Sequence, residues 1–332
     1  MKLYDWQLSL WQQLWQPGVE RIPHAILLSG QAGIGKLRFA NILATGLLCQ
    51  RRPADNLPCG ECNACHYFEQ NAHPDFRLLT PASEIATDEI DDKEKKASEY
   101  ITISQIRELG KFVSLTSHQN GRRVMLVSPA EQLNINAANA LLKMLEEPPP
   151  ETIFLLVTNQ LSRILPTIRS RCRVLQMPAP DPQFASAWLT QQQCPEPALS
   201  LALAGHAPLN ALKNSEDGEW QTQRKRFCEA LSQPAAGDPI ALAESVLKLT
   251  PATVLRWLQT WIYDLVHLKT IQKNRYHLDF EKSQNNFNKN AQLIELLNFN
   301  SELIAARRLL HHPLNPKLFW EFLFIKYFNL NK

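Results

Sequence analysis

Residues 24–37 read His24-Ala-Ile-Leu-Leu-Ser-Gly30-Gln-Ala-Gly-Ile-Gly35-Lys36-Leu37, and this stretch decides the fold. The run from residue 24 to residue 29 is short, apolar and stopped by Gly30, which suits a buried parallel strand. A glycine-punctuated turn follows, and Leu37 to Leu48 then show helical spacing. Strand, Gly-rich loop and helix together open a nucleotide-binding α/β domain. The spacing G-x-x-x-x-G-K makes Gly30, Gly33, Gly35 and Lys36 the candidate nucleotide-binding residues. The glycines let backbone N–H groups turn toward phosphate, and the lysine reaches the β and γ oxygens.

The same loop lacks the parts that hydrolysis needs. The position after the lysine should carry a Ser or Thr hydroxyl for Mg²⁺. Here it is Leu37, which offers no oxygen. The second strand should end in acids, yet Val127 runs into Ser128-Pro129-Ala130. Glu131 lies just beyond and is read as a solvated glutamate at a helix start. The phosphate cradle survives, hydrolysis by this chain is not expected, and its hold on ATP is in doubt.

Outward from the loop, further apolar runs fall at Val124–Val127, Ile153–Val157 and Val174–Met177. A helix is expected over 135–146, stopped by Pro148-Pro149-Pro150. Strands alternating with helices predict a mostly parallel sheet. After Pro178 the pattern becomes helical throughout. The fold expectation is therefore an α/β P-loop domain with a parallel sheet over 1–178 and an inserted metal module at 49–65. A small helical unit over 179–214 and an all-α domain over 215–332 follow. The Asn- and Gln-rich tract from Gln284 to Asn290 reads as a loop between helices.

Bulk properties narrow the class. The chain has 332 residues, 45% of them hydrophobic, and 35 Lys plus Arg against 32 Asp plus Glu, a net charge of +3. A protein that wraps DNA unaided carries a more basic balance. Charge is unevenly spread: residues 84–99 hold seven acids and three lysines, while residues 256–332 hold eleven Lys or Arg and six acids. The acidic stretch Glu84–Glu99 is read as a loop. No run of 18 apolar residues and no signal-peptide pattern at Met1–Gln7 is found, so a cytoplasmic protein is expected.

Disulfides are rare in that compartment, and four of the seven cysteines crowd into positions 49–65. Cys49-x9-Cys59-x2-Cys62-x2-Cys65 offers four thiolates for a closed tetrahedral shell, which suits structural Zn²⁺. An iron–sulfur cluster is the rival occupant. His66 and His73 lie nearby, but the shell is already full without them. Cys172, Cys194 and Cys228 are read as structural.

These features occur in order with His73-Pro-Asp, Asn139-Ala-Leu-Leu-Lys-Met-Leu-Glu-Glu-Pro-Pro and Ile168-Arg-Ser-Arg-Cys172. Together they resemble the clamp-loader subunits of bacterial replicative polymerases, a branch of the AAA+ superfamily. The resemblance is dense from His24 to Met177 and diffuse beyond. Within the family, Leu37, Ser128 and Pro129 depart from the motor subunits (gamma and tau). Pro208 in Gly205-His-Ala-Pro208 stands where motor subunits carry a sensor arginine. These departures resemble the delta-prime branch, the non-hydrolysing rigid end of the ring.

The resemblance implies that Arg171, in Ser170-Arg171-Cys172, is an arginine finger completing the ATP site of the adjacent motor subunit. Arg169 and Arg173 are read as a solvated edge. Thr158 matches the sensor-one position and is given a packing role. Lys143 is a weaker candidate for contact with DNA or a neighbouring subunit. The helical tail resembles a ring-forming collar, and Trp257, Trp261, Trp320 and Phe322 could serve core or interface. Implied partners are gamma/tau, the delta subunit, the sliding clamp and primer–template DNA, all within a DNA polymerase III holoenzyme. The alternatives are an active ATPase of the gamma/tau type and a zinc-dependent DNA-binding module.

Overall fold

The computed structural model describes residues 2–84, 98–114, 121–233, 237–310 and 315–331. Most of the acidic stretch, residues 85–97, lies outside them. The chain divides into two compact units, Met1–Asp181 and Pro182–Lys332.

In the first unit, helix α1 (Leu8–Trp15) precedes strand β1 (Ala25–Ser29), and the glycine loop leads into α2 (Lys36–Leu48). Next come α3 (Asn63–Glu69), β2 (Phe76–Leu79), α4 (Ile103–Ser114) and β3 (Arg123–Val127). The unit closes with α5 (Ile135–Glu146), β4 (Thr152–Thr158), α6 (Pro166–Arg169) and β5 (Arg173–Gln176). All five strands are parallel, in the order β2-β3-β4-β1-β5. β1 and β4 are buried along their whole length, as central parallel strands covered on both faces must be. Their register sets Ser29 beside Thr158, so both strands end at the same rim. Ligands of open α/β sheets bind at this carboxyl rim.

One face of the sheet packs on Ile106, Leu109, Ala137, Leu141, Leu145 and Ile168, from α4, α5 and α6. α2 lies against β1, β3 and β4, with Phe39 buried and edge-on to Trp11 of α1. The Asn134 side chain caps α5 by accepting from the Ala137 N–H. Strand β2 was not expected. It is a short edge strand, reading Phe-Arg-Leu-Leu, with half-exposed side chains rather than an apolar run.

Among its described residues the second unit is helical throughout, with no strand. Helices α7 (Pro182–Gln191), α8 (Pro197–Leu203) and α9 (Pro208–Glu216) enclose a small core of Ala185, Leu189, Cys194, Leu201, Ala204 and Ala211. Six more follow: α10 (Gly218–Ser232), α11 (Pro239–Val246), α12 (Pro251–Ile271), α13 (Glu281–Phe287), α14 (Leu293–Leu309) and α15 (Pro316–Asn329). Their core is larger and aromatic: Phe227, Trp257, Trp261, Phe287, Trp320, Phe324 and Tyr327 are buried. The indole N–H of Trp261 donates to the Tyr327 hydroxyl, which donates on to the Leu231 carbonyl. Proline opens α8, α9, α11, α12 and α15, where its missing N–H costs nothing.

Part of the Gln284–Asn290 tract is helix rather than loop, because Gln284 is buried in α13 and accepts from the Asn274 amide. Among the described residues, no helix is long and apolar enough to cross a membrane.

Candidate functional site

The glycine loop takes the shape that its spacing requires. Gly33 and Gly35 have φ of 83° and 88°, the left-handed region where a side chain is strained. A Cβ on Gly30 would lie 2.6 Å from the Met177 carbonyl of the neighbouring chain segment. Gly35 then caps α2, so the loop and the helix N-terminus face the sheet rim as in a phosphate cradle.

The loop lysine is engaged by the chain's own oxygens. Lys36 is buried, and its ammonium donates to the Gln31 carbonyl at 2.6 Å and to Asn159 Oδ1 at 2.8 Å. Burial brings its pKa down to about 8, with the Glu131 charge acting in the opposite direction. Glu131 is not the solvated residue expected. Its Oε1 accepts from the Asn159 N–H at 3.0 Å, and its Oε2 is buried with no partner. Thr158 is buried at the end of β4, where its hydroxyl accepts from the Gln160 N–H.

The loop's outer side is covered by residues that sequence reasoning missed. The Gln7 side chain, fully buried, donates to the carbonyls of Ile34 (3.3 Å) and Gly35 (3.0 Å). The Trp6 indole N–H donates to the Ile34 carbonyl. Tyr4 stacks flat on Trp6 and receives the Arg38 guanidinium on its ring. A Cβ on Gly35 would come within 2.8 Å of both Tyr4 and Gln7. Nothing in the polar, aromatic N-terminal sequence signals this role. Leu37 is 40% exposed at the start of α2 and offers no hydroxyl.

The four cysteines converge. Cys49 ends α2, Cys62 caps α3, Cys65 lies in its first turn, and Gly60 bends the chain between them with φ 75°. All four sulfurs lie within 4.8 Å of one another, and the shorter separations are 3.5–3.9 Å. A tetrahedron of sulfurs at about 2.3 Å from a metal has edges of about 3.8 Å. The donor set therefore fits a four-coordinate metal ion, and none of the four is in a disulfide. Burial alone would raise the Cys62 thiol, but the backbone N–H groups of Cys65 and Gln50 outweigh it and bring the pKa down to about 6. Burial pushes Cys49 and Cys65 up. A central cation lets all four thiolates coexist.

His66 and His73 stay outside this cluster. His66 is exposed beside Glu69. His73 is buried against Phe68, and its Nδ1 accepts from the Asp75 N–H.

Arg171 follows α6 and is only partly exposed. Its Nη1 donates to the Thr167 carbonyl, and its Nη2 meets Glu146 Oε1 at 2.6 Å. Arg169 and Arg173 are exposed. In the second unit Pro208 opens α9 and is buried, leaving no cation at that position. On α5, Leu141 and Leu145 face the core while Lys143 is exposed.

The fold and these sites define a P-loop α/β protein whose loop lysine is bound to the chain's own oxygens, with four converging cysteines built into the same domain. Residues 8–181 match the family described as DNA polymerase III, delta subunit, and residues 218–327 match its C-terminal counterpart. The chain is 40% identical over 278 residues to DNA polymerase III subunit delta' of Pseudomonas aeruginosa, covering 80% of this chain and 79% of that protein. Identity to the Escherichia coli K12 delta' subunit is 32% over 271 residues, covering 80% and 76%. The chain belongs to the delta-prime family of DNA polymerase III.

Proposed function

We propose that this chain is a non-hydrolysing clamp-loader subunit, the rigid end of an ATPase ring that loads the sliding clamp onto primed DNA. It donates Arg171 in trans to the ATP site of the neighbouring gamma/tau subunit. The delta subunit, the clamp and primer–template DNA are partners through the complex, and the setting is cytoplasmic.

One observation carries the reading: the Lys36 ammonium, which should meet phosphate, is spent on Gln31 and Asn159, while Leu37 offers no hydroxyl to Mg²⁺. A chain so arranged contributes to hydrolysis through groups it exports. Arg171 is such a group. A guanidinium set against a γ-phosphate offsets the charge that develops in the transition state. It also ties turnover to assembly, since the finger and the nucleotide belong to different chains.

Cys49, Cys59, Cys62 and Cys65 hold Zn²⁺ in this reading. A closed Cys₄ shell leaves no coordination position for catalysis, so the ion acts as a clasp on the 49–65 segment. The chain organises as a P-loop domain over 1–178, a lid over 179–214 and a collar over 215–332.

The test is ATP turnover by the chain alone and by the complex reconstituted with its motor subunits, delta and the clamp. The chain alone should show none. Arg171→Ala should leave ring assembly intact and lower the DNA- and clamp-stimulated rate by about a hundredfold or more. Turnover by the isolated chain that Lys36→Ala abolishes would establish a motor subunit instead.

A further inference from the structure

The resting position of Arg171 has a consequence for how the finger is used. Its guanidinium does not project freely from the surface. Nη1 is tied to the Thr167 carbonyl and weakly to the Ser170 hydroxyl, and Nη2 makes a 2.6 Å charge-assisted contact with Glu146. Glu146 comes from a different element, α5, and is the last residue of that helix. A carboxylate there sits at the negative end of the helix dipole, the end that favours cations. Arg171 supplies the compensating charge. After one further residue, Glu147, come Pro148, Pro149 and Pro150, which restrict the backbone beyond the helix end.

From this geometry we infer that Glu146 is a latch that holds Arg171 in a retracted pose and is displaced when a neighbour's γ-phosphate arrives. The inference rests on the finger reading above. A carboxylate and a phosphoryl oxygen ask for the same bidentate donor, so Arg171 cannot serve both fully. Both partners are partly exposed, with side-chain exposures of 36% for Arg171 and 43% for Glu146. A pair so placed is weak, which suits an element that must open on each engagement. Glu146 is a positioning residue: it acts through Arg171 and touches no nucleotide.

The test uses the reconstituted clamp-loader complex with ATP as the probe. Turnover is measured across ATP concentrations, with and without clamp and DNA, for Glu146→Gln, Glu146→Asp, Arg171→Ala and the Glu146→Gln/Arg171→Ala pair. Releasing the latch with Glu146→Gln should raise the unstimulated rate about two- to fivefold, the bias that a partly exposed ion pair supports. Glu146→Asp keeps the charge and should return the rate toward wild type, which a loss of folding would not do. The double variant should match Arg171→Ala alone. If Arg171→Ala lowers the rate and Glu146→Gln leaves the unstimulated rate unchanged or lower, the latch is wrong and the finger stands. If Arg171→Ala changes nothing, the finger reading itself falls.

Discussion

Lys36 keeps the position of a P-loop lysine and turns its ammonium on the chain itself. Its stem and ammonium are where a P-loop lysine belongs, but the protons go to the chain's own oxygens. Lys36→Met preserves the stem and leaves the acceptors of Gln31 and Asn159 unpaired. Urea denaturation should record a loss of about 1–3 kcal/mol, equal with and without Mg-ATP. The glycines and Lys36 were legible because left-handed turns and phosphate loops constrain residue type locally. Asn159 and Glu131 were not, since their contacts with the loop exist only once β3 and β4 lie side by side.

His277 gives a second residue-scale expectation. It is buried among Arg224, Thr260 and Cys228, and Arg224 also pairs with Asp279. Burial first, then the Arg224 charge, lowers its pKa to about 3. The unfolded chain therefore binds a proton near pH 6.5 that the folded chain refuses. Stability from this group is complete above pH 6.5 and falls as pH drops toward 3. Asp264, raised by burial, opposes this at the acid end. Urea midpoints at pH 7 and pH 5 should differ by about 1–2 kcal/mol, and His277→Gln should flatten that difference.

At the scale of elements, the cysteine segment is the clearest case of function written locally. All four cysteines lie within 17 residues, so spacing alone pointed to the cluster. Cys62→Ser should drop the metal content well below the about one zinc expected per chain and lower the melting temperature. Elemental analysis with a thermal melt checks both. Retention of the metal by that variant would remove Cys62 from the shell. The four expected strands emerged as β1, β3, β4 and β5: the first three are apolar over most of their length, and β5 was marked by Val174 and Leu175 just before Met177 and Pro178. β2 hid because an edge strand needs no continuous apolar run. The helix of α13 hid behind Asn and Gln, residues that usually mark turns, because burial of Gln284 overrode that tendency.

For the whole molecule, each compact unit has a core of its own. The described residues of the second unit include eight tryptophan, phenylalanine and tyrosine side chains at 4% exposure or less: Phe227, Trp257, Trp261, Phe287, Phe299, Trp320, Phe324 and Tyr327. A fragment spanning 182–332 should therefore fold by itself, with helical circular dichroism and one cooperative melt. A gradual, non-cooperative melt would show that it depends on the first unit. Phe322, one of the aromatics with two readings, is 56% exposed on α15, unlike its buried neighbours.

The strand order also fixes a sequence of events during synthesis. β1 is the first strand made, yet it pairs only with β4 and β5, and Ala25 waits for Phe154. A growing chain thus carries a mostly apolar strand, wholly buried in the finished fold, without partners until most of the first unit has left the ribosome. The cysteine segment has no such wait, since Cys65 completes its ligand set early. A metal ion held there would fold that segment while the sheet around it is still unmade, giving the nascent chain an ordered landmark between its orphan strand and the strands to come.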